Sequence, residues 1–220
     1  ADSVNTFFYS LGGGNNQWIN EGLGVDRIIN YAKKFGLGVK TGIDLPAEAN
    51  GFLPSKEWKE ETTKERWYLG DTYNLSIGQG YLLTTPIQAA SLVSYFANHG
   101  KIFTPHIIKE VKNGEVAVNY EPKMALTNVV DSVNLEIIRQ ALRETVLRGT
   151  AQSLQSVSVE VAGKTGTAQF NRNKAPHSWF VAFAPYDQPK VAVSVIVEEG
   201  GDTGLAVTVV RQFMEWYFSQ

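Results

Sequence analysis

Apolar residues first fall into a helical period at Val25, Ile28, Ile29, Ala32 and Phe35, which predicts a helix over about 25–35 that Gly36 stops. From Gly36 to Thr84 the pattern is lost. Gly36-Leu37-Gly38, Leu45-Pro46 and Leu53-Pro54 punctuate that stretch, and the charged run Lys56 to Arg66 reads as a solvated loop or short helix. Thr85-Pro86-Ile87-Gln88 then opens a second helix, with Thr85 as cap, Pro86 at the first helical position and Gln88 closing a capping box. Its apolar face is Ile87, Ala90, Val93 or Ser94, and Ala97, and Asn98-His99-Gly100 ends it. Two β-like runs flank a turn at Lys112-Asn113-Gly114-Glu115.

A third helix spans about Ser132 to Leu147 and is expected to bury Val133, Ile137, Ala141 and Leu142. After it the period changes to two. Val157, Val159 and Val161 alternate with polar residues into Gly163-Lys164-Thr165-Gly166-Thr167, which puts the lysine at a strand end. Ser178 to Ala184 and Lys190 to Glu198 read as further strands, and Gly204 to Phe218 as an amphipathic helix covering the sheet. Helices first, then antiparallel strands and a last helix, make an α+β layered domain.

Composition narrows the chemistry. The chain has 220 residues, 43% of them hydrophobic and 11% aromatic, enough for a sizeable core. A net charge of −2 with mixed signs gives no electrostatic case for nucleic acid. Without cysteine there is no disulfide, thiolate metal site or cysteine nucleophile. His99, His106 and His177 are scattered and suggest no metal, and no cofactor is implied. No apolar run is long enough to span a bilayer, and Ala1-Asp2-Ser3-Val4-Asn5 does not read as a signal peptide. The start reads as a cut end with something removed upstream.

Lys164-Thr165-Gly166-Thr167 combines a cation, hydroxyls and a glycine that leaves the backbone open to close approach. A P-loop is excluded, because its first glycine would fall on Ser158 and strands follow where a helix is required. Lys40-Thr41-Gly42 repeats the tripeptide in a Gly/Pro-rich segment without strand context, so only the later copy is a site candidate. Ser3-Val4-Asn5 recurs too, as Ser132-Val133-Asn134, where Asp131 or Ser132 suits a helix N-cap. Gly12-Gly13-Gly14 reads as a loop near a cleft mouth, and Trp179 and Phe180 as core.

The combination is more specific than its parts. Ser3-Val4-Asn5 followed by Phe7-Phe8-Tyr9, and much later Gly163-Lys164-Thr165-Gly166-Thr167-Ala168-Gln169, resembles the penicillin-binding transpeptidases. Thr41-Gly42-Ile43-Asp44-Leu45-Pro46, Gly70-Asp71-Thr72 and Ser76-Ile77-Gly78-Gln79-Gly80, leading into Thr84 to Gln88, resemble the class B members of cell elongation. The resemblance covers nearly the whole chain in order. It implies a penicillin-binding-protein/serine β-lactamase-like fold. It also implies one partial domain over 1–220, with a helical lobe to about 150 and sheet strands with a closing helix beyond.

That family brings Ser-x-x-Lys, Ser-x-Asn and Lys-Thr-Gly to one cleft. No lysine here has serine or threonine three residues before it, so the nucleophile is expected upstream of residue 1 and the isolated chain is expected to be inactive. The resemblance implies cross-linking of peptidoglycan peptide stems through an acyl-serine, covalent capture of β-lactams, and anchorage at the extracytoplasmic face of the bacterial membrane. An upstream fragment of the same protein is a further expected companion. By the same resemblance Ser3 relays a proton and Asn5 holds the substrate amide. Lys164 supplies positive charge, Thr165 and Thr167 bind the substrate carboxylate, and Gly166 lies between them. The Thr167 N–H forms half of an oxyanion hole. A non-catalytic β-lactam or muropeptide sensor, a serine β-lactamase and a plain interaction module remain as alternatives.

Overall fold

The structure, a computed structural model, describes residues 3–15, 17–113 and 116–220. In chain order it has helices α1 (Asn5–Gly13), α2 (Gly24–Lys34), α3 (Lys56–Thr63), α4 (Leu69–Ser76) and α5 (Pro86–Ala97). Strands β1 (Lys101–Phe103), β2 (Glu110–Asn113), β3 (Val116–Asn119) and β4 (Met124–Thr127) follow, then helix α6 (Ser132–Leu147). Strands β5 (Ala162–Ala168), β6 (His177–Ala184) and β7 (Val191–Val197) and helix α7 (Leu205–Tyr217) complete it.

The main sheet is antiparallel in the order β5-β6-β7, with Lys164 opposite Val181 and Phe180 opposite Val195. Alternation along β6 builds both of its cores. Phe180, Ala182 and Ala184 face α7, where Ala206, Val207, Val210 and Met214 are buried. Phe183 packs on the other face with Val93 and Ala97 of α5. Helix, sheet and helix thus form layers, as the α+β reading expects. Among the described residues β5 and β7 are both edge strands, each pairing only with β6. The β1–β4 and β2–β3 pairs are separate two-stranded sheets, and the expected turn at Gly114-Glu115 lies outside the described residues.

Several expectations need correction. Helix α6 has the expected bounds, and Leu142 packs against the Val93, Ala97 and Phe183 cluster as expected, but the rest of the expected face points outward. Val133 and Ile137 are 70% and 56% exposed and Ala141 is exposed, whereas Leu135, Arg139, Thr145 and Val146 are buried. The cause is Arg139. Its guanidinium donates to the carbonyls of Phe96, Ala97 and Tyr186 and lies over the rings of Phe183 and Tyr186. A charged residue thereby takes a core position and turns the helix.

The Lys56 to Arg66 run is not wholly solvated. It forms α3, with Ser55 as N-cap accepting from Trp58 N, and Lys59 is only 2% exposed. Lys59 donates to Asp71 at 2.7 Å and lies over the Tyr68 ring. Asp71 in turn caps α4 by accepting from Tyr68 N at 2.7 Å. The unpatterned stretch thus hides a second helix, α4, held by a buried ion pair. Gly12 and Gly13 are the end of α1 and not a loop; Gly12 is buried where a Cβ would fall 1.7 Å from Ser76 Oγ. Residues 157–161 are an irregular lead-in, although Val157 and Val161 are buried as their alternation suggests. Lys164 consequently sits inside β5 and not at its end.

Candidate active site

The cleft lies between the outer edge of β5 and the surface made by α1 and the turn after α4, and encloses about 550 Å³. Ser3 precedes α1, and Asn5 is that helix's first residue; both line the cleft with Phe8. Lys164, Thr165, Gly166 and Thr167 line the opposite wall. The two motifs meet directly: Lys164 Nζ donates to Ser3 Oγ at 3.0 Å. The same ammonium donates to the Thr165 carbonyl at 2.9 Å and lies 3.4 Å from Thr165 Oγ1. Every residue singled out in the two motifs therefore reaches one cleft.

Among the described residues Lys164 and Asp202 are the only charged side chains lining it. Lys164 has no carboxylate partner there, and burial pushes its ammonium's pKa below the ordinary lysine value. A desolvated lysine touching a serine hydroxyl is suited to exchange a proton with it, because the cost of the charged form is already raised.

Backbone groups on the open edge of β5 supply the rest. Within an antiparallel strand a residue's N–H and C=O point toward the same side. The Thr167 carbonyl points away from β6, since it accepts from Gln79 Nε2 at 2.7 Å across the cleft. The Thr167 N–H therefore also faces the cleft, where it can stabilise a developing oxyanion. Gly166 leaves that edge without a side chain, and its position is tight: a Cβ would sit 3.2 Å from Trp179 Cβ.

Sequence reasoning missed four contributors. Trp179 lines the cleft and is not core, while Phe180 beside it is fully buried, as strand alternation requires. Thr150, in the turn after α6, lies 2.8 Å from Thr165 Oγ1, hydroxyl to hydroxyl. Asp202 belongs to the loop before α7, and Gln79 stands in a segment noted above without a role. Only Gln79 had a signal, since Gly78-Gln79-Gly80 marks a turn. The Lys40-Thr41-Gly42 copy is away from the cleft, and its Thr41 and Gly42 N–H groups bind the chain's own Glu48 carboxylate at 2.6 and 3.1 Å.

An antiparallel sheet whose open edge carries Lys-Thr-Gly, facing Ser-x-Asn at the start of a helix, defines the active-serine class that recognises penicillin. The chain belongs to the penicillin binding protein transpeptidase domain family, whose profile matches residues 1–215. It is 34% identical over 241 aligned residues to the peptidoglycan D,D-transpeptidase MrdA of Haemophilus influenzae, an alignment covering 100% of this chain and 36% of that protein. This chain thus spans about a third of the length of that relative. Among solved structures it superposes on PBP2 of Pseudomonas aeruginosa with a TM-score of 0.80 and 36% identity, covering 98% of this chain and 45% of that one. It also superposes on the imipenem acyl-enzyme complex of penicillin-binding protein A from M. tuberculosis, with a TM-score of 0.76, 25% identity and coverage of 98% and 45%.

Proposed function

We propose that this chain is the part of a peptidoglycan D,D-transpeptidase that carries its Ser-x-Asn and Lys-Thr-Gly motifs. The observation that carries the reading is the 3.0 Å hydrogen bond between Lys164 and Ser3, which closes two motifs 161 positions apart onto one cleft. A serine from a Ser-x-x-Lys segment, supplied by polypeptide outside this chain, attacks the penultimate carbonyl of a peptide stem. The D-alanine leaving group takes a proton, and an amine of a second stem then displaces the serine, forming the cross-link.

In this scheme Ser3 passes the proton to the leaving nitrogen, and Lys164 sets the protonation of Ser3. Thr165 and Thr167 hold the stem's terminal carboxylate, whose charge Lys164 balances. Asn5 orients the stem amide, and the Thr167 N–H takes the oxyanion. β-Lactams enter the same sequence and stop at the acyl-serine. The place of action is the outer face of the bacterial membrane. Among the described residues no helix is long and apolar enough to cross a bilayer. The whole chain is read as one partial domain, the helices to about residue 150 forming the lobe that faces the sheet.

The experiment is an intact-mass measurement with and without excess benzylpenicillin, on this chain alone and on the full-length polypeptide. The reading expects one penicilloyl adduct on the full-length protein and none on the 220-residue chain. An adduct on a residue of this chain, or none on the full-length protein, would overturn it.

A further inference from the structure

The side of the cleft beyond Trp179 is completed by the loop between β7 and α7, which carries Asp202 and leads to Gly204 and Val207. Three consecutive residues where the chain enters β6 hold that loop, each as an acceptor. The Pro176 carbonyl accepts from Gly201 N at 2.9 Å, His177 Nδ1 from Glu199 N at 3.0 Å, and Ser178 Oγ from Ala206 N at 3.4 Å.

Of the three ties, only the middle one can be removed by a proton. A ring nitrogen accepts a hydrogen bond only while it carries no hydrogen, so the bond from Glu199 places the proton of neutral His177 on Nε2. Phe170 lies parallel to the ring, with centroids 4.1 Å apart, and keeps it in that plane. The donor is also under strain. Glu199 sits at φ 54°, a left-handed conformation that a residue with a Cβ holds only where its surroundings enforce it.

The charged groups around the ring do not replace this bond. Arg172 and Lys174 stand in the β5–β6 loop, Glu198, Glu199 and Asp202 in the loop after β7, and the residue of β5 opposite His177 is Ala168. Lys174 is paired with Glu199 and lies over the Phe170 ring. A protonated ring has the Glu198 and Glu199 carboxylates to turn toward, and such a turn leaves the Glu199 N–H without its acceptor.

We propose that His177 is a positioning residue of the cleft: its unprotonated Nδ1 holds the Asp202 loop against the start of β6, and its protonation releases that wall. The inference rests on the acyl-transfer reading above. With the loop released, the cleft holds an acyl donor less firmly and acylation slows.

The test uses the full-length polypeptide that contains this chain, unmutated and as His177→Asn and His177→Leu. Asparagine keeps an acceptor oxygen close to the Nδ1 position and does not titrate, whereas leucine has no acceptor. Second-order acylation rates with benzylpenicillin are measured from about pH 8 to about pH 5, the interval in which histidine as a residue type changes charge. Other groups of the site also titrate, so the readout is the ratio of the unmutated rate to the His177→Asn rate. That ratio is expected to fall about tenfold as the pH is lowered, in a one-proton step. At the upper pH limit His177→Leu is expected to react about tenfold more slowly than His177→Asn. A ratio that does not move with pH, or equal rates for the two variants, would overturn the inference, because a side chain that acts by packing alone gives both.

Hydrogen exchange on the unmutated polypeptide needs no variant to fold. Protection of the backbone amides of residues 198–204, corrected for the intrinsic effect of pH, is expected to drop about tenfold across the same interval. Constant protection there overturns the inference. If benzylpenicillin labels the unmutated protein at no pH, the acyl-transfer reading fails and takes this one with it. Labelling with a ratio that pH does not move removes only the role of His177.

Discussion

Lys59 Nζ lies 2.7 Å from an Asp71 carboxylate oxygen, and the lysine side chain is only 3% exposed. The pair ties α3 to the start of α4, and α4 ends in the turn that presents Gln79 to the cleft. Its effect on the site is therefore indirect but mechanical.

Replacing Asp71 with alanine leaves the lysine buried beside only the more distant Glu65, 3.6 Å away, and removes the cap on Tyr68 N. Breaking one side of a buried pair typically costs about 3–5 kcal/mol, so Asp71→Ala should lower the urea midpoint sharply. Adding Lys59→Met should restore part of the loss, which a double-mutant cycle would read directly. The hydrogen bond that Lys59 donates to the Asp71 carboxylate raises the Lys59 pKa. This stabilisation is thus fully present below the unfolded-state lysine pKa and fades only as pH climbs through the folded-state value.

Lys164 is the opposite case, a desolvated cation with no ion-pair partner among the described residues. Its lowered pKa means that the unfolded chain holds the proton more tightly, so stability rises with pH between the folded and unfolded values. Lys164→Met should raise the melting temperature at neutral pH while abolishing penicillin labelling of the full-length protein. The alkaline limb of the acylation profile should fall below the range of an ordinary lysine. A limb at the ordinary lysine value would contradict the assignment.

Glu48 stabilises a loop remote from the cleft. Burial opposes its ionisation, yet hydrogen bonds from the Thr41 hydroxyl and from the Thr41 and Gly42 N–H groups, with Lys40 nearby, hold its pKa below the ordinary glutamate value. The contribution is present above the unfolded-state pKa and lost as pH falls through the folded one. Glu48→Gln should cost about 1 kcal/mol at neutral pH, and the gap from the unmutated protein should close in acid. Penicillin acylation should stay unchanged in this variant.

Gly12 sets the distance between α1 and α4. A Cβ there would fall 1.7 Å from Ser76 Oγ and 2.7 Å from Ser76 Cβ, so rotating the hydroxyl away does not relieve the contact. Gly12→Ala should cost about 1–3 kcal/mol through overpacking. Because α1 carries Asn5 and follows Ser3, the acylation rate should drop more than a change of stability alone would produce.

Much of the layered fold was legible because β6, β7, α2, α5 and α7 obey simple periods and carry recognisable caps and stops. The reading failed where a polar residue took a core position. Arg139 does so in α6, which turned most of the expected face outward, and Lys59 does so in α3. Helix α4 was invisible because Gly70, Asp71, Thr72 and Asn74 are poor helix formers, and the cap that rescues the helix needs a lysine from another element. At the site, Ser3, Asn5 and the Lys164 to Thr167 run were visible as motifs. Thr150, Trp179, Asp202 and the reach of Gln79 depend on how β5 faces its neighbours, which no local pattern encodes.

The outer edge of β7 has a practical consequence. Val191-Ala192-Val193-Ser194-Val195-Ile196-Val197 contains no charge, proline or glycine, and among the described residues its far side pairs with nothing. Such an edge is a template for adding another strand, including one from a second molecule that has the same sequence. A preparation of this segment by itself should therefore aggregate through β7 as concentration rises. Ile196→Lys, which breaks the apolar run at a position outside the α7-facing core of Val191, Val193, Val195 and Val197, should keep it in solution longer.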